Sequence, residues 1–306
     1  MKDSFKGFAN NDNTTSAFIA LVGRPNVGKS SILNRMVGEK IAIVSDKPQT
    51  TRTRITGIVT KGDLQLVFID TPGLHKPHNA LGENMVRAVS DGMADVDCCV
   101  LVVEADEKIA PAELDLIDRF KKRNIPAVLA INKIDLLTDK DRLLKIITDY
   151  TNLYNFSAIV PLSAKHNDNV DVLLSELEKF AKPSPHFFDD EAFTDQPERV
   201  LAGEIIREKL LRLLNKEVPH GLAIDIEKFY ERENGILDLN ASIYCERESH
   251  KGIVIGKGGA MLKKVGSSAR FDLEKFFCCK VNLQLWVKVK ENWRDRQGSI
   301  HNFGLD

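Results

Sequence analysis

The stretch from Gly23 to Ser30 combines spaced glycines with a lysine and a hydroxyl side chain. Glycines let backbone N–H groups wrap an anion, Lys29 can neutralise β- and γ-phosphates, and Ser30 can ligate Mg²⁺. The apolar run AFIALV precedes this stretch and a helical pattern follows it, as the G-x-x-x-x-G-K-S phosphate loop requires. The residues predicted to bind the phosphates of a nucleotide are Gly23, Arg24, Pro25, Asn26, Val27, Gly28, Lys29 and Ser30.

Two later motifs indicate that the base is guanine. Asp135 lies in an N-K-x-D motif after the apolar strand AVLAI, and its carboxylate can accept from both N1–H and the exocyclic amine of guanine. Adenine presents an acceptor and a differently placed amine, so GTP is favoured over ATP. One strand-and-helix unit later, the Ala164 N–H is predicted to meet O6. The predicted base-binding residues are Asn132, Lys133, Asp135, Ser163, Ala164 and Lys165.

The sequence Asp70-Thr71-Pro72-Gly73 ends the apolar strand LQLVFI and matches the D-x-x-G motif of GTPases. Asp70 is predicted to hold Mg²⁺ through water, and the Gly73 N–H to sense the γ-phosphate. The nucleotide-binding residues predicted in this segment are Asp70, Thr71, Pro72, Gly73 and Leu74. Many GTPases place a glutamine directly after the glycine of this motif to orient the attacking water, but here Leu74 stands there. The water must then be positioned by backbone, by a partner residue in trans or by a monovalent cation, and slow intrinsic turnover is expected.

The polar stretch Gln49-Thr50-Thr51-Arg52 lies between these motifs, where GTPases take a threonine that ligates Mg²⁺. Thr51 is the first choice and Thr50 the second, with a solvated loop as the alternative. For Asn26, coordination of K⁺ and capping of its own backbone both stay open. The predicted metal ligands are Ser30, Thr51 and Asp70. The predicted catalytic groups are Asn26, Lys29, Thr51 and Gly73.

These motifs follow strands that alternate with amphipathic helical segments through residues 16–182. Runs rich in Val, Ile and Leu that alternate with helices predict an α/β fold, a mostly parallel sheet with helices on both faces. Ligands of such sheets bind beyond the carboxyl ends of the strands, where the motifs lie. The segment 183–197 has three prolines and an acidic cluster, so it is interpreted as a linker between two domains.

Residues 198–290 predict a smaller α+β unit in the order α-β-β-α-α-β, with an Asn234-Gly235 hairpin turn. This order and the IVIGKGG segment resemble a type II KH domain, whose G-x-x-G loop clamps about four nucleotides of single-stranded RNA. Residues 250–296 carry 11 basic and 4 acidic side chains, as a phosphate binder requires, although a solvated basic face is the alternative. The predicted RNA-binding residues are Gly256, Lys257, Gly258, Gly259, Lys263, Lys264 and Arg270. Trp286 is predicted to lie in the core rather than to stack on a base.

Composition supports this division into two domains. The chain has 306 residues and a net charge of −1, but residues 1–198 carry 24 basic and 29 acidic side chains, and residues 199–306 carry 19 and 15. Five cysteines without C-x-x-C spacing argue against a zinc site or a disulfide framework. No run of 18 apolar residues occurs, so a reducing, cytoplasmic location is expected.

The QTTR segment, DTPGLHKP and a KH-like unit ending in LWVKVKxxWR resemble the Era family of bacterial GTPases over nearly the whole chain. The resemblance implies GTP hydrolysis to GDP, binding to the 3′ region of 16S ribosomal RNA and to the 30S subunit, and a role in assembling that subunit. It also implies peripheral membrane association, and a monomer is expected. Two rivals stay open: an RNA-binding scaffold whose nucleotide domain is only structural, and a GTPase whose second domain binds protein. The tail, 291–306, is either an RNA-contacting extension or frayed.

Overall fold

The computed structural model describes residues 13–45, 47, 50–73, 79–93, 95–105, 108–214 and 218–305. Within these ranges, the amino-terminal unit contains a seven-stranded sheet. Its strands are β1 (Thr15–Val22), β2 (Ile55–Lys61), β3 (Leu64–Asp70), β4 (Cys98–Glu104), β5 (Ala127–Asn132), β6 (Ala158–Pro161) and β7 (Lys182–Pro183). The strand order is β2-β3-β1-β4-β5-β6, and β7 pairs with β1. The β2·β3 and β1·β7 pairs are antiparallel, whereas the other pairs are parallel.

Helices cover both faces of this sheet. They are α1 (Lys29–Val37), α2 (Ala80–Gly92), α3 (Pro111–Arg123), α4 (Lys140–Thr151) and α5 (Val170–Glu178). Leu33 of α1 and Leu173 of α5 pack on one face, and Val89 of α2, Phe120 of α3 and Tyr150 of α4 pack on the other. The predicted α/β fold with a mostly parallel sheet is therefore confirmed.

The sequence patterns did not indicate β2, α2 or α4. Threonines and a glycine interrupt the apolar pattern of β2, whose burial depends on contacts with the rest of the domain. The helices α2 and α4 have a local signal of another kind, because the Asn79 side chain accepts from the Gly82 N–H and the Asp139 side chain accepts from the Asp141 N–H at their starts. Only β2 therefore depends on tertiary packing that a local pattern does not report.

The segment 183–197 lies along the β2–β3 edge of the sheet. The Ile58 N–H donates to the Phe193 carbonyl at 3.0 Å, and Thr194 Oγ1 donates to the Thr56 carbonyl at 2.7 Å. Gln65 Oε1 accepts from the backbone N–H of Phe187 at 2.8 Å. This connection is thus held to the first domain and does not hang free as a flexible tether would.

The second unit has the predicted order α-β-β-α-α-β. Its elements are α6 (Glu198–Leu213), β8 (Ala223–Glu231), β9 (Ile236–Cys245), α7 (Glu248–Ile255), α8 (Ala260–Phe276) and β10 (Lys280–Val289). The strands β8 and β9 are antiparallel, as the Asn234-Gly235 turn predicts, and β10 is parallel to β9. In the described part of the chain, no helix has the length and apolar character to cross a membrane.

The tail is folded, so the frayed alternative is wrong. It forms a 3₁₀ turn at Trp293–Asp295 followed by α9 (Gln297–Asn302). The Trp293 side chain is fully buried, and it clusters with Ile300 and with Leu81 and Met85 of α2. The tail therefore packs between the two domains.

The prediction that Trp286 lies in the core is also wrong, because Trp286 is 41% exposed. Alternate residues of β10 face opposite sides of its sheet, and Val281, Leu283 and Leu285 are the ones that join the core against the helices. Trp286 falls on the opposite face, where its β9 neighbour is Ser242. The prediction relied on the apolar character of the strand as a whole and not on the alternation of its side chains between the two faces.

Candidate nucleotide cleft and RNA-binding surface

The phosphate loop joins the end of β1 to the start of α1, so the positive end of the α1 dipole lies at the loop. Gly28 has φ 103°, and a Cβ there would lie 2.1 Å from Asn132 Nδ2. That amide nitrogen donates to the Val27 carbonyl at 2.8 Å. Only glycine at position 28 allows this approach, which attaches the loop to the end of β5.

Lys29 lies beneath the loop and is 5% exposed. Its Nζ donates to the carbonyls of Arg24 at 2.9 Å and Gly23 at 3.2 Å. Burial lowers the pKa of Lys29 to about 8, and the charge of Asp70 opposes that shift. The ammonium is thus held in place by the loop before any phosphate arrives.

Three predicted metal ligands meet at one point of the cleft. Ser30 Oγ donates to Asp70 Oδ2 at 2.6 Å and lies 3.0 Å from Thr51 Oγ1. Burial raises the pKa of Asp70 to about 6, although Lys29 and the two hydroxyls oppose the increase. The structure therefore brings together two hydroxyl groups and one carboxylate.

This oxygen set fits Mg²⁺. Asp70 Oδ1 is buried and finds no hydrogen-bond donor among the described residues. Buried carboxylate oxygens are normally paired, and a hard cation that prefers oxygen ligands would satisfy this one. A divalent cation would also stabilise the ionised form of Asp70 that burial disfavours.

Hydrogen bonds link the two motifs that are predicted to bind guanine, residues 132–135 and 163–165. Asp135 Oδ1 accepts from Ser163 Oγ at 2.6 Å, and this hydrogen bond is the main reason that the pKa of Asp135 lies below its usual value. Asn132 Oδ1 accepts from the Ala164 N–H at 3.0 Å. The Ala164 N–H is thus already engaged by Asn132, so a contact with guanine O6 would share this donor. Lys133 pairs with Glu104 at 3.0 Å.

These residues line a cleft of about 1050 Å³. The sequence-predicted residues that line it are Pro25, Asn26, Gly28, Lys29, Ser30, Thr51, Gly73, Asn132, Lys133, Asp135, Ala164 and Lys165. The other predicted residues that the structure describes do not line the cleft: Gly23, Arg24, Val27, Asp70, Thr71, Pro72 and Ser163. Of these, the Arg24 side chain pairs with Glu113, and Thr71 is buried and donates to the Leu21 carbonyl at 2.8 Å. Gln49 and Leu74 lie outside the described residues.

The second predicted site lies on the KH-like unit, after α7. Gly256 has φ 73°, and a Cβ there would lie 2.7 Å from the Met261 side chain, so the backbone turns at a position that accepts no side chain. Beside it is a groove of about 390 Å³ between α8 and β10. Its lining residues are Gly259, Leu262, Lys263, Gly266, Ser267, Arg270, Leu283 and Leu285. Lys263 and Arg270 thus share the groove with the glycine loop, whereas Lys264 is exposed on α8 outside it.

The segment that carries Thr51 also contacts the second unit. Arg52 donates to the carbonyls of Leu222 at 2.6 Å and His220 at 2.9 Å, and its guanidinium lies 5.8 Å from the centre of the Trp293 ring. Arg207 of α6 donates to the Thr50 carbonyl. Sequence analysis quoted Arg52 within the QTTR segment and gave it no role.

A second contact joins α6 to the other end of the cleft. Glu208 of α6 is fully buried and pairs with Lys40 at 2.6 Å, while its other oxygen accepts from the Val44 N–H at 3.2 Å. Burial alone would raise the pKa of Glu208, but its contacts with Lys40 and other cations hold it below the usual value. Asp272 of α8 lies 3.2 Å from the same Lys40 ammonium. No motif marks Glu208, because its role depends on how the two domains pack.

Comparison with protein families gives one match in each of the two units. Residues 18–133 match the family described as 50S ribosome-binding GTPase, and residues 217–294 match the KH domain family. The fold and the cleft thus define a P-loop GTPase that is followed by a KH domain.

Individual relatives specify the family. The chain is 51% identical to GTPase Era of Clostridioides difficile (strain 630), covering 95% of this chain and 98% of that one. It is 47% identical to GTPase Era of Ruminiclostridium cellulolyticum, covering 94% and 97%. The chain belongs to the Era family of GTPases.

Two solved structures resemble the whole chain. One is Era in complex with MgGDPNP and nucleotides 1506–1542 of 16S ribosomal RNA, with a TM-score of 0.91 and 34% identity over 95% of this chain and 99% of that one. The other is an Aquifex aeolicus Era variant bound to GDP·AlF₄⁻, with a TM-score of 0.92 and the same identity and coverage.

Proposed function

We propose that this GTPase binds a single-stranded segment near the 3′ end of 16S ribosomal RNA in a GTP-dependent manner and acts in assembly of the 30S subunit. The observation that carries the proposal is the contact of Thr50 and Arg52, which flank Thr51 beside the cleft, with the KH domain. The RNA complex of the Era relative supports the choice of RNA.

In the cleft, each group has a proposed task. Ser30, Thr51 and Asp70 would hold Mg²⁺, and the ion would supply positive charge to the phosphate oxygens. Lys29 neutralises charge that develops between the β- and γ-phosphates. The Gly73 N–H donates to the γ-phosphate, and Asp135 accepts from the guanine N1–H and amine. Buried donors that are already oriented act without reorganisation cost.

On the KH domain, the proposed RNA path follows the glycine loop and the α8 groove. The backbone at Gly256 to Gly259 approaches the sugar-phosphate chain closely, and Lys257 places a positive charge there. Lys263 and Arg270 line the adjoining groove and would contact phosphates along it. Lys264 lies outside the groove, so its proposed contribution is long-range attraction.

The domain contacts give the switch a physical route. Thr51 and Arg52 are adjacent, so a shift of Thr51 towards or away from Mg²⁺ also moves the guanidinium that binds the His220 and Leu222 carbonyls. Lys40 offers a second route, because its ammonium contacts both Glu208 of α6 and Asp272 of α8, the helix that carries Arg270. Loss of the γ-phosphate would release the Thr51 segment and lower RNA affinity.

RNA affinity in two nucleotide states tests the switch. A labelled single-stranded RNA with the 3′-terminal sequence of 16S ribosomal RNA should bind more tightly with a non-hydrolysable GTP analogue than with GDP. Arg52→Ala should reduce this difference while leaving the GDP-state affinity close to that of the unmodified protein. Equal affinities with GDP and the analogue would rule out coupling.

A charge reversal tests the RNA site. The double substitution Lys257→Asp and Lys263→Asp, at two exposed lysines of the proposed RNA path, should abolish RNA binding. Its matched control is Lys121→Asp with Lys122→Asp, two exposed lysines of α3 in the GTPase domain. Unchanged RNA binding in the first variant would reject the KH clamp and favour a protein-binding second domain.

Cation dependence tests the catalytic assignments. Phosphate release measured with K⁺ and with Na⁺ should be faster with K⁺ if Asn26 coordinates that ion, and Lys29→Ala serves as the inactive control. Equal rates in both salts would remove K⁺ from the mechanism. No phosphate release above the Lys29→Ala level would instead favour the RNA-binding scaffold.

We further propose a cytoplasmic location, a monomeric state and peripheral association with the membrane, of which only the last rests on the family resemblance. Light scattering of the purified protein tests the monomer. Co-sedimentation with anionic lipid vesicles tests membrane association, which fails if the protein stays in the supernatant at low salt.

A further inference from the structure

One phosphate-loop side chain turns out of the cleft. Arg24, the second residue of the loop, pairs through Nε with Glu113 Oε1 at 2.7 Å. Its backbone carbonyl accepts from Lys29 Nζ at 2.9 Å. A single residue therefore joins the lysine of the loop to a carboxylate on α3.

Glu113 is fully buried, and its two oxygens have different partners. Oε1 accepts from Arg24, whereas Oε2 accepts from the Ala110 N–H at 2.7 Å and from Tyr150 Oη at 2.9 Å. Ala110 precedes the first turn of α3, and Tyr150 lies in α4. The Oε2 contacts thus hold the carboxylate in place from two helices, which leaves Oε1 to fix Arg24.

We propose that Glu113 is a positioning residue for nucleotide binding. Through Arg24 it fixes the first residues of the phosphate loop, and so the carbonyls that hold Lys29 Nζ. The side chain of Arg24 is 30% exposed and that of Glu113 is fully buried, so the buried carboxylate is the fixed end of this pair. Without Glu113, the first residues of the phosphate loop would no longer be held in place. Part of the free energy of nucleotide binding would then be spent on ordering the loop, and nucleotide affinity would fall.

The alternative is that Glu113 only stabilises the start of α3. The two oxygens separate these roles, since the helix contact uses Oε2 and the loop contact uses Oε1. In Arg24→Gln the Glu113 carboxylate keeps its Ala110 and Tyr150 contacts, and only the guanidinium that donates to Oε1 is lost. In Glu113→Gln either orientation of the amide turns its NH₂ towards an N–H donor, of Arg24 or of Ala110, and two donors cannot pair. Arg24→Gln therefore breaks the loop contact selectively.

The test measures GDP affinity and thermal unfolding of the full chain for four variants. Glu113→Gln and Arg24→Gln should each weaken GDP binding on the order of tenfold, as is typical when a group that orients a binding residue is lost. The double variant should bind no worse than either single variant, because the two residues act as a pair. In GTP turnover, the loss should appear in KM rather than in kcat.

Tyr150→Phe is the matched control, because it removes an Oε2 partner and leaves the Arg24 contact intact. It should lower the unfolding midpoint and leave GDP affinity within about twofold of the original, a change too small for a lost positioning contact. Original GDP affinity in folded Arg24→Gln would overturn the proposal. So would losses that multiply in the double variant, since independent effects exclude a shared role.

Discussion

The two faces of this protein present positive charge in opposite ways. In the cleft, Lys29 is 5% exposed and already bonded to carbonyls of its own loop. On the KH domain, Lys257 and Lys263 are exposed around an open groove. A buried, oriented cation acts strongly on one small ligand, whereas exposed cations act weakly, additively and in a salt-dependent way on a long one. The cleft is therefore expected to depend on single residues, and the RNA surface on their sum.

The two tryptophans give the largest contrast, since Trp293 is fully buried and Trp286 is 41% exposed. Trp293→Ala should lower the free energy of unfolding by about 3–5 kcal/mol, because it empties the cluster between the domains and deletes the Nε1–H bond to the Gly221 carbonyl. Trp286→Ala should cost about 0.5 kcal/mol, typical of an exposed position. Urea unfolding followed by circular dichroism measures both free energies, and equal costs would show that the burial of Trp293 adds no stability beyond that of an exposed position.

The cleft is far more predictable from the sequence than the domain interface is. Motifs such as Asp70 to Gly73 follow directly from strand ends in a parallel sheet, so their convergence was predictable. The bounds of β10 were also predictable, because they coincide with its apolar run. The roles of Arg52, Glu208 and Trp293 were not, because each depends on a partner from the other domain that no local pattern encodes.

The next largest contrast is between the effects of Lys29 and Lys257 on GTP turnover, since each lysine is proposed to contact phosphates, those of the nucleotide and of the RNA respectively. Lys29→Ala should lower kcat/KM for GTP by about 10²–10³-fold, as loss of one preorganised donor does. Lys257→Ala should leave GTP turnover without RNA within about twofold, because such a surface change normally moves free energies by no more than about 0.5 kcal/mol. Phosphate release under single-turnover and steady-state conditions checks both variants. A comparable loss in Lys257→Ala would show that the KH surface takes part in the chemistry.

The cleft should also show a bell-shaped pH profile that reflects its buried charges. Asp70 protonates below its raised pKa of about 6 and then binds Mg²⁺ poorly, while Lys29 loses its proton above its lowered pKa of about 8 and no longer attracts phosphate. Because kcat/KM reports groups of the free enzyme, it should be highest between these values and fall by about tenfold per pH unit outside them.

Lys29→Arg separates the two limbs of that profile. Its guanidinium stays charged at every pH in this range, so the fall above pH 8 should disappear while the fall below pH 6 remains. Where turnover of the variant is too slow to measure, the pH dependence of GDP affinity replaces it. The nucleotide phosphates also titrate, but their effect is the same for both proteins and cancels when the affinity of the variant is divided by that of the unmodified protein. An upper limb that persists in Lys29→Arg would assign it to another group.

Salt dependence gives the smallest effect per residue and tests whether the RNA surface acts as a sum. Each phosphate contact with single-stranded RNA adds about 0.7 to the slope of log affinity against log salt concentration. Lys257→Ala and Arg270→Ala should therefore each reduce the slope by about 0.7, and the double variant by about 1.4. Lys121→Ala on α3 is the matched control and should leave it unchanged. Anisotropy of a labelled RNA measured across KCl concentrations gives these slopes. A non-additive double variant would mean that one side chain dominates RNA binding, as Lys29 is expected to dominate the cleft.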